Sequence, residues 1–203
     1  MEKQDFKKVF KSLYNPSSKE PSCIEIPSMQ FLMIDGMDAR PESKDFQEAI
    51  TALFSVSYKT KFSIKKSRGT DYAVMPLEGL WWAKDMADFT TGKKENWNWT
   101  LMIMQPDFVT QADISNAIAD SNEKAPKSAL SKLRLEKFAE GWSGQLLHIG
   151  PFSTEHANIM RIHDLIKSQG GTLTGKHHEI YLSDFRKTSP EKLKTVLRQP
   201  FKA

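Results

Sequence analysis

The stretch His178-Glu179-Ile180-Tyr181-Leu182 lies near the end of this 203-residue chain and carries a carboxylate in an otherwise apolar setting. Side chains alternate across a strand, so Glu179 and Tyr181 share one face while Ile180 and Leu182 share the other. A glutamate on the packed side of a sheet needs a cation, a hydrogen-bond donor or a ligand. An exposed edge-strand glutamate is the alternative, and the stretch alone leaves both interpretations open.

A similar stretch, Leu77-Glu78-Gly79-Leu80-Trp81, occupies the matching place in the first half of the chain. Hydrophobic periodicity predicts the elements of each half. In the first half these are strands around 24–34, 72–82 and 97–104 and a helix over 46–54; in the second half they are strands over 133–138, 145–149, 177–182 and 195–201 and a helix over 159–166. Each half is therefore predicted as strand, helix, strand, strand.

Two halves of this kind predict an α+β fold, in which the strands form one antiparallel sheet with helices on one face. A cleft between the halves would hold both glutamate-bearing strands. We predict a single domain over residues 1–203. Its parts are an N-terminal helix (1–20), repeat one (22–105), a connector (106–131) and repeat two (132–202).

Composition excludes several classes of protein. The net charge is only +4, and basic residues are mixed with acidic ones, which argues against direct nucleic-acid binding. The single cysteine, Cys23, excludes an internal disulfide framework and a cysteine metal cluster. No apolar run approaches bilayer-spanning length, and the first residues lack a signal-peptide core. We expect a cytoplasmic protein that does not bind membranes.

Aromatic residues crowd near the predicted strands, and together with one or two carboxylates they suit a flat, cationic molecule. For any single tryptophan, simple core packing is the alternative. His177 and His178 point to opposite faces of a strand, so no metal site is predicted, and no cofactor is expected. The candidate ligand-binding residues are Tyr58, Tyr72, Glu78, Trp81, Trp82, Trp97, Trp99, Trp142 and His148.

Three segments resemble the stand-alone GyrI-like small-molecule-binding proteins, which belong to the SOUL/GyrI-like superfamily. They are Pro76-Leu77-Glu78-Gly79-Leu80-Trp81-Trp82, the block from His177 to Asp184, and the tail from Pro190 to Pro200. The resemblance covers nearly the whole chain after about residue 20. It implies two pseudo-symmetric βαββ repeats in one curved antiparallel sheet.

The resemblance also implies a function. The same domain is the drug-sensing part of some bacterial multidrug-responsive activators. In those proteins a strand glutamate contacts lipophilic cations, and Glu179 is the residue of this chain that matches it. Some stand-alone members hydrolyse cyclopropane-containing DNA-alkylating compounds. For such an enzyme, Glu179 and Tyr181 are the expected catalytic residues, and Glu179 would deprotonate a water molecule or donate to the ligand.

Two other functions remain open from the sequence. A module that binds drugs or a protein partner without turnover, as in gyrase-inhibitor members, needs the same aromatic and acidic residues. Haem binding, as in the distantly similar SOUL proteins, is the third alternative. Because no helix-turn-helix domain is evident, we expect no direct DNA binding. A small aromatic or lipophilic ligand is the expected partner, and a monomer or weak dimer the expected state.

Overall fold

The computed structural model describes residues 3–84, 93–121 and 125–203. The strands within these ranges are β1 (Ser22–Ile26), β2 (Met29–Met37), β3 (Leu77–Ala83), β4 (Trp97–Gln105), β5 (Arg134–Phe138), β6 (Gly141–Ile149), β7 (Thr172–Leu173), β8 (His177–Tyr181) and β9 (Lys194–Lys202). The α-helices are α1 (Phe6–Val9), α2 (Lys11–Tyr14), α3 (Lys44–Arg68), α4 (Gln111–Ala119), α5 (Lys127–Leu130) and α6 (Glu155–Ser168). Among these described helices, none is both long and apolar enough to cross a bilayer.

The strands form an antiparallel sheet in the order β1-β6-β9-β8-β3-β4-β2-β5, and β7 pairs with β9. The predicted α+β class and antiparallel sheet are confirmed. Both halves of the chain order their strands alike. β4 lies between β2 and β3, and β9 lies between β6 and β8, so the order is first, third, second strand in each half.

The chain divides into two compact units. Unit 1 comprises Met1–Phe6, Met29–Met75 and Trp81–Phe138, and unit 2 comprises Lys7–Ser28, Pro76–Leu80 and Ala139–Ala203. These units differ from the predicted repeats at β1, at β5 and at the first part of β3, which belongs to unit 2. β1 pairs with β6 and belongs to unit 2, whereas β5 pairs with β2 and belongs to unit 1. The boundaries of the repeats stay a prediction.

In unit 1, α3 packs on β2 and β4 through an apolar side that includes Ala49, Leu53 and Val56. The helix extends well beyond the predicted residues 46–54. Its second half buries polar residues such as Thr60 and Lys61, which hydrophobic periodicity does not detect. It ends at Gly69, whose left-handed φ of 69° suits a residue without a Cβ atom.

In unit 2, α6 packs on β6 and β9 through a core of Leu146, Ile162, Ile166 and Leu197. Gly144 of β6 allows this close approach, because a Cβ atom there would lie 2.8 Å from the Ile162 side chain. The sequence predicts the end of this helix at Gly170-Gly171, and α6 ends close to that position, at Ser168.

Other local predictions differ in detail from the structure. The predicted N-terminal helix is two short helices, α1 and α2, and the strand predicted over 72–82 begins only at Leu77. The connector contains α4 and α5, while residues 122–124 lie outside the described residues. Thr110 and Asp113 have the spacing of a capping box in the sequence, and this box is present at the start of α4.

Candidate functional site

β8 divides the most informative stretch of the sequence between two faces. His177, Glu179 and Tyr181 are partly buried, whereas His178 and Ile180 are almost fully buried. This alternation was predicted from the strand period and is confirmed. The two faces carry different chemistry.

Glu179 lies on the face against which α6 packs, because its register partner on β9 is Leu197, which contacts the apolar side of that helix. The Glu179 carboxylate accepts a hydrogen bond of 2.7 Å from the Tyr181 hydroxyl. Nε2 of His177 lies 3.4 Å from the other carboxylate oxygen. The Glu179 side chain keeps 15% of its surface exposed, so it is largely desolvated but remains accessible to solvent.

Aromatic rings surround Tyr181. Its ring lies 5.9 Å from the ring of Phe152 and 6.1 Å from that of Phe185, and these two phenylalanines are 6.2 Å apart. Phe152 is 39% exposed. We call Phe152, Glu179, Tyr181 and Phe185 the aromatic–carboxylate cluster. It combines ring faces with a carboxylate at a position that solvent reaches.

The opposite face of β8 carries a buried set of ionisable side chains, which we call the charged network: Tyr14, Glu78, Glu140, His178 and Arg198. His178 lies between two carboxylates, with Nε2 3.0 Å from Glu78 and Nδ1 3.0 Å from Glu140. The Tyr14 hydroxyl donates to Glu78 at 2.7 Å. Arg198 lies 3.6 Å from Glu140 and is fully buried.

In the charged network, His178 and Glu140 shift each other's pKa in opposite directions. Burial alone would lower the pKa of His178, but Glu140 and Glu78 overcome this effect and raise it to about 9. Burial would likewise raise the pKa of Glu140, but His178 and Arg198 hold it below its usual range. Burial, reinforced by Glu78, raises the pKa of Tyr14 and keeps its hydroxyl protonated. His178 and Glu140 are therefore both charged near pH 7, and the Tyr14 hydroxyl is neutral.

We expect the free energy of unfolding to fall as the pH rises from 7 to 9. A group whose pKa is raised by folding stabilises the protein fully below its unfolded value, and this contribution is lost as the pH passes its folded value. For His178 this window runs from about pH 6.5 to about pH 9 and corresponds to about 3 kcal/mol. Urea unfolding at several pH values measures it.

Two variants carry the same substitution and serve as controls for this pH dependence. His178→Gln should abolish the slope, whereas His156→Gln, at an exposed histidine of α6, should retain it. If the wild-type protein is equally stable at pH 7 and pH 9, His178 is not held protonated by its neighbours. If His178→Gln fails to fold, the stabilities of the wild type and of His156→Gln at pH 7 and pH 9 still test the prediction.

Glu78 and Glu179 were grouped in one ligand site from the sequence, but the structure separates them. The Glu78 carboxylate contacts the ring of His178, which points away from the face that carries Glu179. Glu78 has no exposed surface. It is therefore part of the charged network in this structure.

The tryptophans of unit 1 pack around Phe46. The Phe46 ring lies 5.9 Å from Trp81 and 5.6 Å from Trp99, and Trp97 lies 6.4 Å from Trp81. Nε1 of Trp99 donates to the backbone oxygens of Met37 and Asp38. Trp81 and Trp99 are buried, as the core alternative predicts, whereas Trp97 is partly buried. Trp82 is also partly buried.

The remaining candidate residues lie elsewhere in their units. Tyr58 is 48% exposed on α3, and Tyr72 is buried against Phe108. Trp142 is 53% exposed beside Phe201. His148 is buried, and its two ring nitrogens face Asn158 at 2.9 Å and the Pro151 oxygen at 3.2 Å.

Sequence reasoning missed several members of these two clusters: Tyr14, Glu140, His178, Arg198, Phe152 and Phe185. Arg198 could have been detected from the sequence, because it is a charged residue that directly follows Val196 and Leu197 in a predicted strand. Glu179 is likewise a charged residue in an apolar strand. The partners of a buried charge come from distant elements and leave no spacing signal. Over the part of the chain that is described, no group of three or more His, Cys, Asp or Glu side chains is arranged so that it could hold a metal ion.

A family model described as the GyrI-like small molecule binding domain matches residues 19–202. Among solved structures, the chain is similar to an uncharacterized conserved protein from Listeria innocua, with 38% identity and a TM-score of 0.88 over 98% of this chain and 100% of that chain. It is also similar to a protein described as a hydrolase from Listeria innocua, with 37% identity and a TM-score of 0.85 over 98% and 100% of the two chains.

More distant structures share the fold. The EcmrR C-terminal domain aligns with a TM-score of 0.57 at 14% identity, over 90% of this chain and 97% of that domain. Comparison with curated proteins gave no significant match. The family model and the two Listeria structures confirm the resemblance to GyrI-like proteins that the three sequence segments indicated.

Proposed function

Because the chain belongs to the family of GyrI-like small-molecule-binding domains, we propose that it binds flat, lipophilic cations at the aromatic–carboxylate cluster. The observation that carries this proposal is the 2.7 Å hydrogen bond from Tyr181 to Glu179 beside an exposed aromatic ring. A cation that lies over these ring faces also lies near the carboxylate.

Three interactions favour binding: the attraction between a cation and aromatic rings, the balance of charge, and apolar contact. The faces of aromatic rings attract a cation, an effect worth about 0.5–2 kcal/mol depending on desolvation. The Glu179 carboxylate balances the ligand's charge, and the Tyr181 hydroxyl holds that carboxylate in one orientation. The surrounding rings of Phe152 and Phe185 supply apolar area for a planar ligand.

We further propose that the protein turns over ligands that contain a cyclopropane conjugated to a carbonyl. Support comes from the Listeria relative that is described as a hydrolase and from the pairing of a carboxylate with a phenol. Glu179 removes a proton from water while the water oxygen bonds to a ring carbon. The strained carbon–carbon bond breaks, and its electron pair forms an enolate, which takes up a proton. The net reaction adds one water molecule.

Binding without turnover is the second candidate function. The description of the matching family model favours it, since that description names small-molecule binding and no reaction. The two candidates share the aromatic–carboxylate cluster and differ only in whether water reaches a strained ligand.

Fluorescence titration with a cationic xanthene dye and a neutral analogue tests the binding proposal. The cation should bind more tightly, and Phe152→Ala should weaken it by about 0.5–2 kcal/mol, because the exposed ring face is lost. Phe62→Ala is the matched control at an exposed aromatic residue of α3 that is not a candidate for ligand binding, and it should leave the affinity unchanged. Equal affinity for both dyes, or an unaffected Phe152→Ala variant, would place the ligand elsewhere.

Mass spectrometry tests the turnover proposal. Incubation with a cyclopropyl ketone alkylator should give a product heavier by one water molecule, at a rate above that of the buffer. Dye binding that persists without such a product would favour the binding-only function. A product without any dye binding would contradict the proposed cation preference.

A further inference from the structure

His177 lies beside the carboxylate of the aromatic–carboxylate cluster, and neither proposed activity uses it. It shares a face of β8 with Glu179 and Tyr181, because side chains two apart on a strand point the same way. Its Nε2 atom lies 3.4 Å from one Glu179 carboxylate oxygen, and the other oxygen accepts the hydrogen bond from Tyr181. Within the described residues this buried nitrogen makes no hydrogen bond. The contact between His177 and Glu179 is therefore an ion pair only when the imidazole ring is protonated.

A second histidine limits how many protons this face takes up. His163 of α6 is partly buried. Burial, and after it the neighbouring His177, lowers the pKa of His163, so that His163 is neutral near pH 7. A charge on one of these two rings therefore disfavours a charge on the other. Since Glu179 lies against His177, the proton that this face accepts belongs on His177.

The other elements around His177 bring no second carboxylate against its ring in the described residues. On β9 its neighbour is the uncharged Gln199, because the adjacent pair in the register is His178 with Arg198. The remaining charged groups nearby are Asp164 and Lys167 of α6, which act on His163 with opposite signs, Lys176, which precedes His177 in the chain, and Glu78 of β3, which lies against His178 on the opposite face.

A protonated His177 and a bound cation compete for the same carboxylate. With a neutral ring, the negative charge of Glu179 attracts a cationic ligand. With a protonated ring, the imidazolium offsets that charge from 3.4 Å and repels a second cation. Histidine is the side chain that ordinarily changes its charge between pH 5 and pH 8. The charge that the cluster presents to a ligand therefore depends on the state of this one ring.

We propose that His177 is the specificity-determining residue of the aromatic–carboxylate cluster. With a neutral His177 the cluster takes flat aromatic cations, and with a protonated His177 it takes neutral aromatic molecules equally well. Proton uptake by the ring therefore releases a cationic ligand. This inference rests on the proposed binding of cations at the cluster, and it adds what sets the charge of the ligand.

Fluorescence titration at pH 8 and pH 5.5 tests the proposal, with a xanthene dye whose carboxyl group is esterified so that its positive charge is fixed. The affinity of the wild type for this dye should fall about tenfold at pH 5.5, which corresponds to about 1.4 kcal/mol. The affinity for a neutral analogue should stay the same. His177→Gln cannot take up the proton and should bind the cation equally at both pH values. His156→Gln, at the exposed histidine of α6, should keep the tenfold fall.

Calorimetry of the wild type provides a second test that needs no variant. Because linkage is reciprocal, a cation that is released by proton uptake must itself release protons when it binds. At pH 6.5 the heat of binding should therefore change with the ionisation enthalpy of the buffer for the cationic dye and not for its neutral analogue. A heat that is independent of the buffer for both dyes contradicts the proposal.

The outcomes separate this inference from the proposed function. A preference for the cation that is the same at pH 5.5 and pH 8, or a fall that persists undiminished in His177→Gln, overturns the role of His177 and leaves the binding site standing. A wild-type protein without any preference for the cation at pH 8 contradicts the proposed function itself, and the role of His177 fails with it.

Discussion

Replacing Glu179 by glutamine is expected to abolish most ligand handling while leaving the fold intact. Glutamine keeps the shape of the side chain and can still accept a hydrogen bond from Tyr181, but it loses charge and basicity. The affinity for an aromatic cation should fall by about 1–3 kcal/mol, the range for losing a charged hydrogen-bond partner. Turnover of a cyclopropane substrate should fall at least about a hundredfold, as expected when a general base is removed.

Dye titration, product kinetics and a thermal melt of the same preparation measure these effects. Glu191→Gln is the matched control, because Glu191 is exposed outside the aromatic–carboxylate cluster. It should behave as the wild type in all three measurements. A Glu179→Gln variant with a strongly lowered melting temperature but unchanged binding and turnover would show that Glu179 is structural.

Replacing Arg198 by methionine is expected to lower the free energy of unfolding by about 3–5 kcal/mol. The guanidinium is fully buried, donates to Gln145 at 3.1 Å and to the Leu13 backbone oxygen, and lies 3.6 Å from Glu140. Without it, Glu140 keeps only His178 as a cationic partner in the charged network. Removing one partner of a buried ion pair leaves an uncompensated charge in the interior, which is costly.

Urea unfolding at pH 7 measures this loss. Arg186→Met is the control, since Arg186 is about half exposed and pairs with Asp184 at 2.9 Å on the surface. We expect its effect to stay within about 0.5 kcal/mol. A loss at Arg198 as small as that at Arg186 would mean that the network contributes no net stability.

The strands and helices of this protein were largely predictable, because their signals are local. The alternation around Glu179 predicted its two faces, and the box at Thr110 predicted the start of α4. The helical stripe of α3 was truncated, since its second half buries Thr60 and Lys61. Local patterns report burial only where the buried residues are apolar.

The charged network was not predictable, because its members come from five separate parts of the chain. Nothing in the spacing of Tyr14, Glu78, Glu140 and Arg198 connects them, and His178 was considered only as a metal ligand. The aromatic–carboxylate cluster was predicted in part. Glu179 and Tyr181 are adjacent on one strand, whereas Phe152 and Phe185 reach them through turns that carry no periodic signal.

The exchange of β1 and β5 between the halves of the chain has a consequence for biosynthesis. Unit 2 takes strands from residues 22–26 and 141–149 and from the C-terminal β9, which pairs with both β6 and β8. A ribosome must therefore release the chain as far as β9 before this unit can close, and β1 stays unpaired until β6 has been synthesised. Long waits of this kind slow folding and expose strand edges to other chains. Expression level and the need for chaperones should therefore respond more to changes in β1 than its five residues suggest.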